Sequence, residues 1–276
     1  MRLSFYTYSY TDRLDMPIKL CLQRIAKAGY SGIDVSGTHG PSEDPGSFNE
    51  ARRLLTRKTA EDLGLHIEAI ITHAPLTDTL FDPNRKPLDL PGTIDLAQDL
   101  GAPVVTFHMG GYRDGVRRAT VWKKTVDAIR AAADYAMARH VDLAVDGIWP
   151  IWIDDSPDSL QRLFDDVGAE NFGVNFDPCY LTLIGVDPVA FAKRFHRRIV
   201  HGHLKDHRGK YPKWKHLLPG KGEMNYQRIF RGLAEVKFDK AVAVECFTDM
   251  KFEQACDECF VAMRDAAAAG GVAFAK

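Results

Sequence analysis

Much of what this chain lacks narrows its chemistry. No stretch approaches the roughly 18 consecutive apolar residues of a membrane span. The start, Met1-Arg2-Leu3-Ser4-Phe5-Tyr6, runs straight into a strand pattern without the long apolar segment of a signal peptide. No membrane partner is expected. Neither sign of charge dominates: 36 basic residues face 37 acidic ones, for a net charge of −1. That balance carries no nucleic-acid footprint, and Arg194, Arg197 and Arg198 with the stretch Lys205 to Lys215 read as solvated loop. Cysteine is sparse and odd in number, five in all and without framework spacing, which fits a reducing, cytoplasmic setting. Cys256 and Cys259 form a lone C-x-x-C inside a helical pattern, with no second pair to complete a metal site. No G-x-G-x-x-G follows the first strand pattern and no P-loop occurs, which weakens a nucleotide-binding reading. No Pro/Gly/Ser-rich linker divides the 276 residues, so one domain spanning 1–276 is expected.

What is present is alternation. Short apolar runs at 2–6, 32–35, 66–71, 103–108, 141–146, 172–177, 198–204 and 241–246 read as strands. Between them, helices are predicted near 16–28, 47–63, 92–100, 119–139, 157–167, 187–195, 226–235 and 252–269. In the fourth of these, Val121, Trp122, Val126, Ile129, Ala133 and Ala136 recur at about a 3.6-residue period. Gly29, Gly64, Gly101 and Gly270 sit where helices stop. Strands and helices in strict alternation imply a parallel sheet, and eight such units in about 250 residues imply a closed (β/α)8, or TIM, barrel. Active sites of such barrels lie at the C-terminal face of the strands.

Four consecutive strand candidates in the second half end in residues that bind hard metal ions. They are Val141-Asp142-Leu143-Ala144-Val145-Asp146, Phe172-Gly173-Val174-Asn175-Phe176-Asp177, Ile199-Val200-His201-Gly202-His203 and Ala241-Val242-Ala243-Val244-Glu245. On the C-terminal face of a barrel these ends form a ring of three carboxylates and one imidazole. Carboxylates so placed repel one another, and without a cation at least one takes up a proton. One divalent ion removes the conflict. Three oxygen donors and one nitrogen suit Mn²⁺ best, with Mg²⁺ and Co²⁺ close behind and Zn²⁺ or Fe²⁺ as alternatives.

The layout resembles the xylose-isomerase-like sugar isomerases and epimerases, with the apurinic endonucleases as distant relatives. The resemblance covers almost the whole chain. It is carried by Gly29-Tyr30-Ser31-Gly32-Ile33-Asp34, His108-Met109-Gly110, Asp177-Pro178-Cys179-Tyr180-Leu181 and His201-Gly202-His203-Leu204-Lys205-Asp206. It continues in Pro219-Gly220-Lys221-Gly222-Glu223 and Val244-Glu245-Cys246. It implies metal ligation by Asp146, Asp177, His203 and Glu245. Three positions depart from the family pattern: Asp146 stands for the usual Glu of the fifth strand, Tyr180 for a His after the sixth, and Asp34 for the more usual Glu of the second. In the epimerases the fifth-strand Glu also moves a proton.

Further residues feed the same face. His73 follows the third strand and His108 ends the fourth; both are expected to contact substrate. His201 lies two residues before His203, so the two side chains point the same way, and His201 is a candidate proton carrier. Lys205 continues that alternation and is a candidate for a sugar oxygen. Arg208 and His216 fall in a long loop before the Pro-Gly turn. Tyr6, Tyr8, Tyr10, Trp149, Trp152 and Trp214 offer aromatic faces to a sugar ring.

The resemblance implies a metal-dependent isomerase or epimerase acting on a small sugar or cyclic polyol, by proton transfer next to a carbonyl through an enediolate. Glu245, Asp146 and His201 are the expected catalytic groups; His73, His108, Lys205, Arg208 and Tyr180 are the expected substrate contacts. A lyase or dehydratase acting on a keto-sugar, keto-inositol or keto-glycoside shares the intermediate and is the first alternative. An apurinic-endonuclease-like phosphodiesterase or a non-catalytic barrel subunit belongs to another class. Homo-oligomerisation is left open by the sequence.

Overall fold

The computed structural model describes residues 1–8, 16–37, 48–85, 88–245 and 251–276. Among these, eight parallel strands close into a barrel: β1 (Arg2–Tyr6), β2 (Gly32–Ser36), β3 (His66–Ile71), β4 (Val104–Phe107), β5 (Asp142–Asp146), β6 (Phe172–Phe176), β7 (Ile199–Leu204) and β10 (Ala241–Val244). Each strand pairs with the next, and β1 pairs with both β2 and β10 to close the ring. The predicted (β/α)8 architecture is therefore observed. Tyr10, Cys246 and the first residue of the second predicted helix lie outside the described residues.

The helices are α1 (Ile18–Ala28), α2 (Glu50–Asp62), α3 (Leu76–Phe81), α4 (Leu90–Leu100), α5 (Arg118–Met137), α6 (Pro157–Val167), α7 (Pro178–Leu183), α8 (Pro188–Phe195), α9 (Tyr226–Glu235) and α10 (Phe252–Ala269). Their starts follow from capping. Ser156 caps α6 in a reciprocal pair with Ser159, and Pro157 fills the first helical position, where its missing N–H has no cost. Gly29, Gly101 and Gly168 end α1, α4 and α6 in the left-handed conformation.

Two features depart from the expected pattern. The stretch after β7 is an antiparallel hairpin, β8 (Asp206–Lys210) and β9 (Lys213–Leu217), where a loop is expected. Two short helices, α3 and α7, stand in loops at the C-terminal face.

The apolar residues divide into two layers. Leu143, Val145, Phe172, Val174, Val242 and Val244 pack outward against the helices in the main core. Tyr6, Ala69, Ile71, Val104 and Ala144 form a small separate cluster inside the barrel. With so little apolar volume inside, polar side chains make up much of the interior, among them Ser4, Asp34, Glu68, Thr106, Asn175, His201 and His203, all buried.

Candidate active site

Side chains alternate along a strand, so the residues that send Val and Leu to the helices send their neighbours into the barrel. That puts Asp146 of β5, Asn175 of β6, His201 and His203 of β7 and Glu245 just past β10 on one shared interior, joined by Asp34 from β2. Asp177 follows β6 and is the N-cap of α7: its Oδ1 accepts from the Tyr180 N–H at 3.0 Å. Asp34, Asp146, Asp177, His201, His203, Lys205 and Glu245 are all buried.

His203 is the hub. Its Nδ1 lies 3.2 Å from Glu245 Oε2 and 3.6 Å from Asp146 Oδ1, and its Nε2 lies 3.6 Å from Asp34 Oδ2. Asp34 is tied to His201 Nε2 at 2.7 Å, so it reaches the site from the opposite wall. Lys205 Nζ lies 2.8 Å from Asp177 Oδ2 and donates to Glu245 Oε2 at 2.5 Å, with the Tyr180 ring centroid 4.0 Å away. Asp146 is held from two sides, by His108 Nε2 at 2.9 Å from Oδ2 and by Asn175 Nδ2 donating to Oδ1.

The electrostatics follow from burial and these neighbours. Burial alone would raise the Asp146 carboxyl, but the His108 hydrogen bond, with His203 and Lys205 nearby, holds it far below the usual range. Burial opposes ionisation of Glu245 too, and Lys205 and His203 overcome it. Asp34 is lowered against its burial by His201 and His203. Asp177 moves the other way: burial, with Asp146 and Glu245 adding repulsion, outweighs the pull of Lys205 and raises it. Burial lowers His203 and Lys205, yet the carboxylates around them raise both well above their ordinary values.

The cluster has the features of a divalent-ion site. Donor atoms of Asp146, Asp177 and His203 lie within 4.8 Å of one another. A second set, Asp34, His201 and His203, meets the same distance. Both ring nitrogens of His203 and Oδ2 of Asp177 are buried without a hydrogen-bond partner. Buried polar atoms are rarely left so; a cation would take the lone pair of His203 Nδ1 together with Asp177 Oδ2, while Nε2–H faces Asp34. Glu245 adjoins the first set through His203 Nδ1.

The other expected substrate contacts divide. His73 and His108 meet edge to face, with ring centroids 5.0 Å apart, and the Tyr6 hydroxyl lies 2.5 Å from His73 Nε2. Tyr6 in turn stacks on His203 at 5.9 Å, so this wall is continuous with the cluster. Tyr180 closes the other side beneath Trp149, which also meets Tyr211 and Trp214 at 5.3 and 5.2 Å. Arg208 is not brought into the cluster. It is exposed on β8, directly opposite Lys215 in the hairpin register. His216 lies between Trp214 Nε1, which donates to it at 3.2 Å, and Cys179; burial and then Lys205 push it down to about 4.

Two residues emerge only from the structure. Asn175 grips Asp146, and its signal in the sequence is its place two residues before Asp177 on the inward alternation. Asp206 supports the site from behind: its carboxylate accepts from the N–H groups of His207, Gly220 and Met224 at 2.8, 3.0 and 3.1 Å. That grip explains the Pro219-Gly220-Lys221-Gly222-Glu223 stretch, since a Cβ on Gly222 would stand 2.3 Å from Asp206 Oδ1.

Comparison with known proteins agrees with this architecture. Among curated relatives, the rhizopine catabolism protein MocC of Rhizobium meliloti is 24% identical over 280 residues, covering 85% of this chain and 76% of its own length. An inosose dehydratase of Bacillus cereus is 20% identical over 258 residues, covering 83% and 82%. Among solved structures, an L-ribulose 3-epimerase superposes with a TM-score of 0.78 at 15% identity, over 98% of this chain and 95% of that one. The IOLI protein, solved with a bound zinc atom, superposes with a TM-score of 0.78 at 17% identity, over 97% and 98%. The xylose isomerase-like TIM barrel family matches residues 22–269, most of the chain. With the barrel and its polar C-terminal face in hand, the chain is a member of the xylose isomerase-like TIM barrel family.

Proposed function

We propose that the protein is a divalent-metal-dependent isomerase or epimerase of a sugar or cyclic polyol, working by proton transfer next to a carbonyl through an enediolate. One observation carries the reading. Carboxylates from separate strand ends converge on one buried imidazole, that of His203, two of them on its Nδ1. Asp146, Asp177, His203 and Glu245 would hold the ion, and the oxygen-rich donor set suits Mn²⁺ best. When bound, such an ion supplies Lewis acidity toward a carbonyl oxygen.

The side chains do the rest. Glu245, ionised and buried, takes the proton from the carbon beside the carbonyl, and Asp146, which approaches the same nitrogen of His203, serves as its counterpart. Lys205 keeps its proton and donates toward the oxygen on which negative charge grows. Asp34 orients His203 and His201 together, and His201 stands behind it as a proton carrier. His73, His108 and Tyr180 line the substrate space. Arg208 would touch only a substrate long enough to reach the hairpin. Similar proteins named as an L-ribulose 3-epimerase and an inosose dehydratase support this substrate class.

Elimination is the second reading, favoured by Lys205: an ammonium beside Glu245 and Tyr180 is an acid placed to protonate a leaving hydroxyl. The two share the first step. Mn²⁺-loaded protein should exchange the α-hydrogen of keto-sugars or keto-inositols with deuterated water, and Glu245→Gln should slow exchange by at least about 10²-fold. An unsaturated product absorbing in the ultraviolet marks elimination; a product of unchanged formula marks isomerisation or epimerisation. Turnover with no exchange, the substrate's own hydrogen moving between carbons, would rule out the enediolate.

A further inference from the structure

Lys205 and the ion have claims on the same oxygen. Asp177 Oδ1 is committed to the Tyr180 N–H and so to the start of α7. Only Oδ2 is free to ligate, and it is this atom that lies 2.8 Å from Lys205 Nζ. The contact is a buried ion pair between the ammonium and the one oxygen left for a metal. An ammonium and a dication on one carboxylate oxygen repel strongly in a buried site. Lys205 also has somewhere else to go. The face of the Tyr180 ring, with its centroid 4.0 Å from Nζ, holds the ammonium without taking a ligand oxygen, whereas the bond to Glu245 Oε2 at 2.5 Å is a second point where ammonium and ion compete. Its backbone carbonyl is fixed by the Tyr226 hydroxyl at 2.6 Å, so the exchange is confined to the side chain.

We propose that Lys205 and the divalent ion exchange at Asp177 Oδ2, so that Lys205 sets how tightly the ion is held and is turned toward the substrate space as the ion arrives. Lys205 is then a positioning residue for the metal as well as a group facing substrate. The ion would be readily exchangeable, because each binding event displaces a resident charge, and the ammonium would face substrate only in a loaded site. The inference rests on the metal reading above.

The test is a calorimetric Mn²⁺ titration of the full chain, with the thermal shift on Mn²⁺ addition as a second readout. Lys205→Met should bind Mn²⁺ at least about tenfold more tightly than the wild type, a difference of about 1.4 kcal/mol. Its unfolding temperature should rise further on Mn²⁺ addition than that of the wild type. Lys205→Arg, which keeps the charge and serves if the Met variant folds poorly, should bind no more tightly than the wild type. Asp177→Asn should lose binding. If Asp177→Asn loses binding while Lys205→Met binds equally or more weakly, the metal ring stands and the exchange is wrong. A tighter Lys205→Arg overturns the exchange as well. If Asp177→Asn still binds Mn²⁺ stoichiometrically, the ring itself is wrong and the exchange falls with it.

Discussion

The two ends of the barrel interior use similar ingredients to opposite effect. At the N-terminal end, Arg2 meets Glu68 through two nitrogens, Nε on Oε1 and Nη2 on Oε2 at 3.0 Å. One cation faces one carboxylate, both oxygens are used, and Gly32 leaves room for the Glu68 stem, which a Cβ there would approach to 2.8 Å. At the C-terminal end, Asp34, Asp146, Asp177 and Glu245 surround His203 and Lys205, and polar atoms remain unbonded. A closed pair of this kind is a structural device. An overloaded cluster is unfavourable until something binds to it, which is how a site differs from a clasp.

The largest effect is expected beside the site. Asp154, in the loop between β5 and α6, is fully buried with neither carboxylate oxygen hydrogen-bonded. Burial, with Asp155 and Asp146 adding repulsion, pushes it up to about 8 from an ordinary 3.8. The unfolded chain therefore gives up this proton first. Stability from this group is full below about pH 4, declines as pH rises, and is lost by about pH 8. Asp154→Asn removes the dependence. At pH 8 or above the variant should be more stable than the wild type by a few kcal/mol, with little difference near pH 4. Urea unfolding of both proteins across this range checks it, and a difference that does not vary with pH would show that Asp154 is ionised in the folded state.

Why Asp154 is hidden in the sequence is instructive. Trp152-Ile153-Asp154-Asp155-Ser156-Pro157 reads as a polar lead-in to a helix, and part of it is: Ser156 caps α6 and Asp155 accepts from Ser159. That Asp154 turns inward is a tertiary fact with no local signal. The ring is the reverse case. Asp146, Asp177, His203 and Glu245 end apolar runs whose alternation fixes their direction, and the barrel's closure fixes their neighbours, so the cluster is legible once the fold is. In sequence the hairpin reads as loop because Arg208, Lys210, Lys213 and Lys215 break any apolar alternation; its strands are held by backbone pairing and by Trp214 and Tyr211 against Trp149. The two short helices at the mouth are too brief for periodicity to register, though Asp177-Pro178 carries the start signal of one of them.

A smaller effect is expected from the clasp. Glu68→Gln leaves Arg2 without its counter-charge, but Arg2 is partly exposed, at 32%, so water softens the loss. The expected cost is about 1–3 kcal/mol in urea unfolding, with Mn²⁺ affinity unchanged within about twofold. If metal affinity falls with stability, the two ends of the barrel are coupled and the distinction between clasp and site fails.

The smallest effect is expected at Asp146, the ring member that departs from the family's usual Glu. Both of its oxygens are held, by His108 and Asn175, so it is firmly placed. Asp146→Glu adds one methylene at a buried position, beside a His108 that is partly exposed and can give way. If the ring is a site that adapts to what it binds, the longer carboxylate should still serve. Mn²⁺ content should stay intact and turnover of the best keto-sugar or keto-inositol should fall by no more than about tenfold, about 1.4 kcal/mol in barrier. A far larger fall with metal content intact would show something sharper: that the grip of His108 and Asn175 on a short carboxylate is itself part of substrate recognition, and that the overloaded end of the barrel is as closely fitted as the closed one.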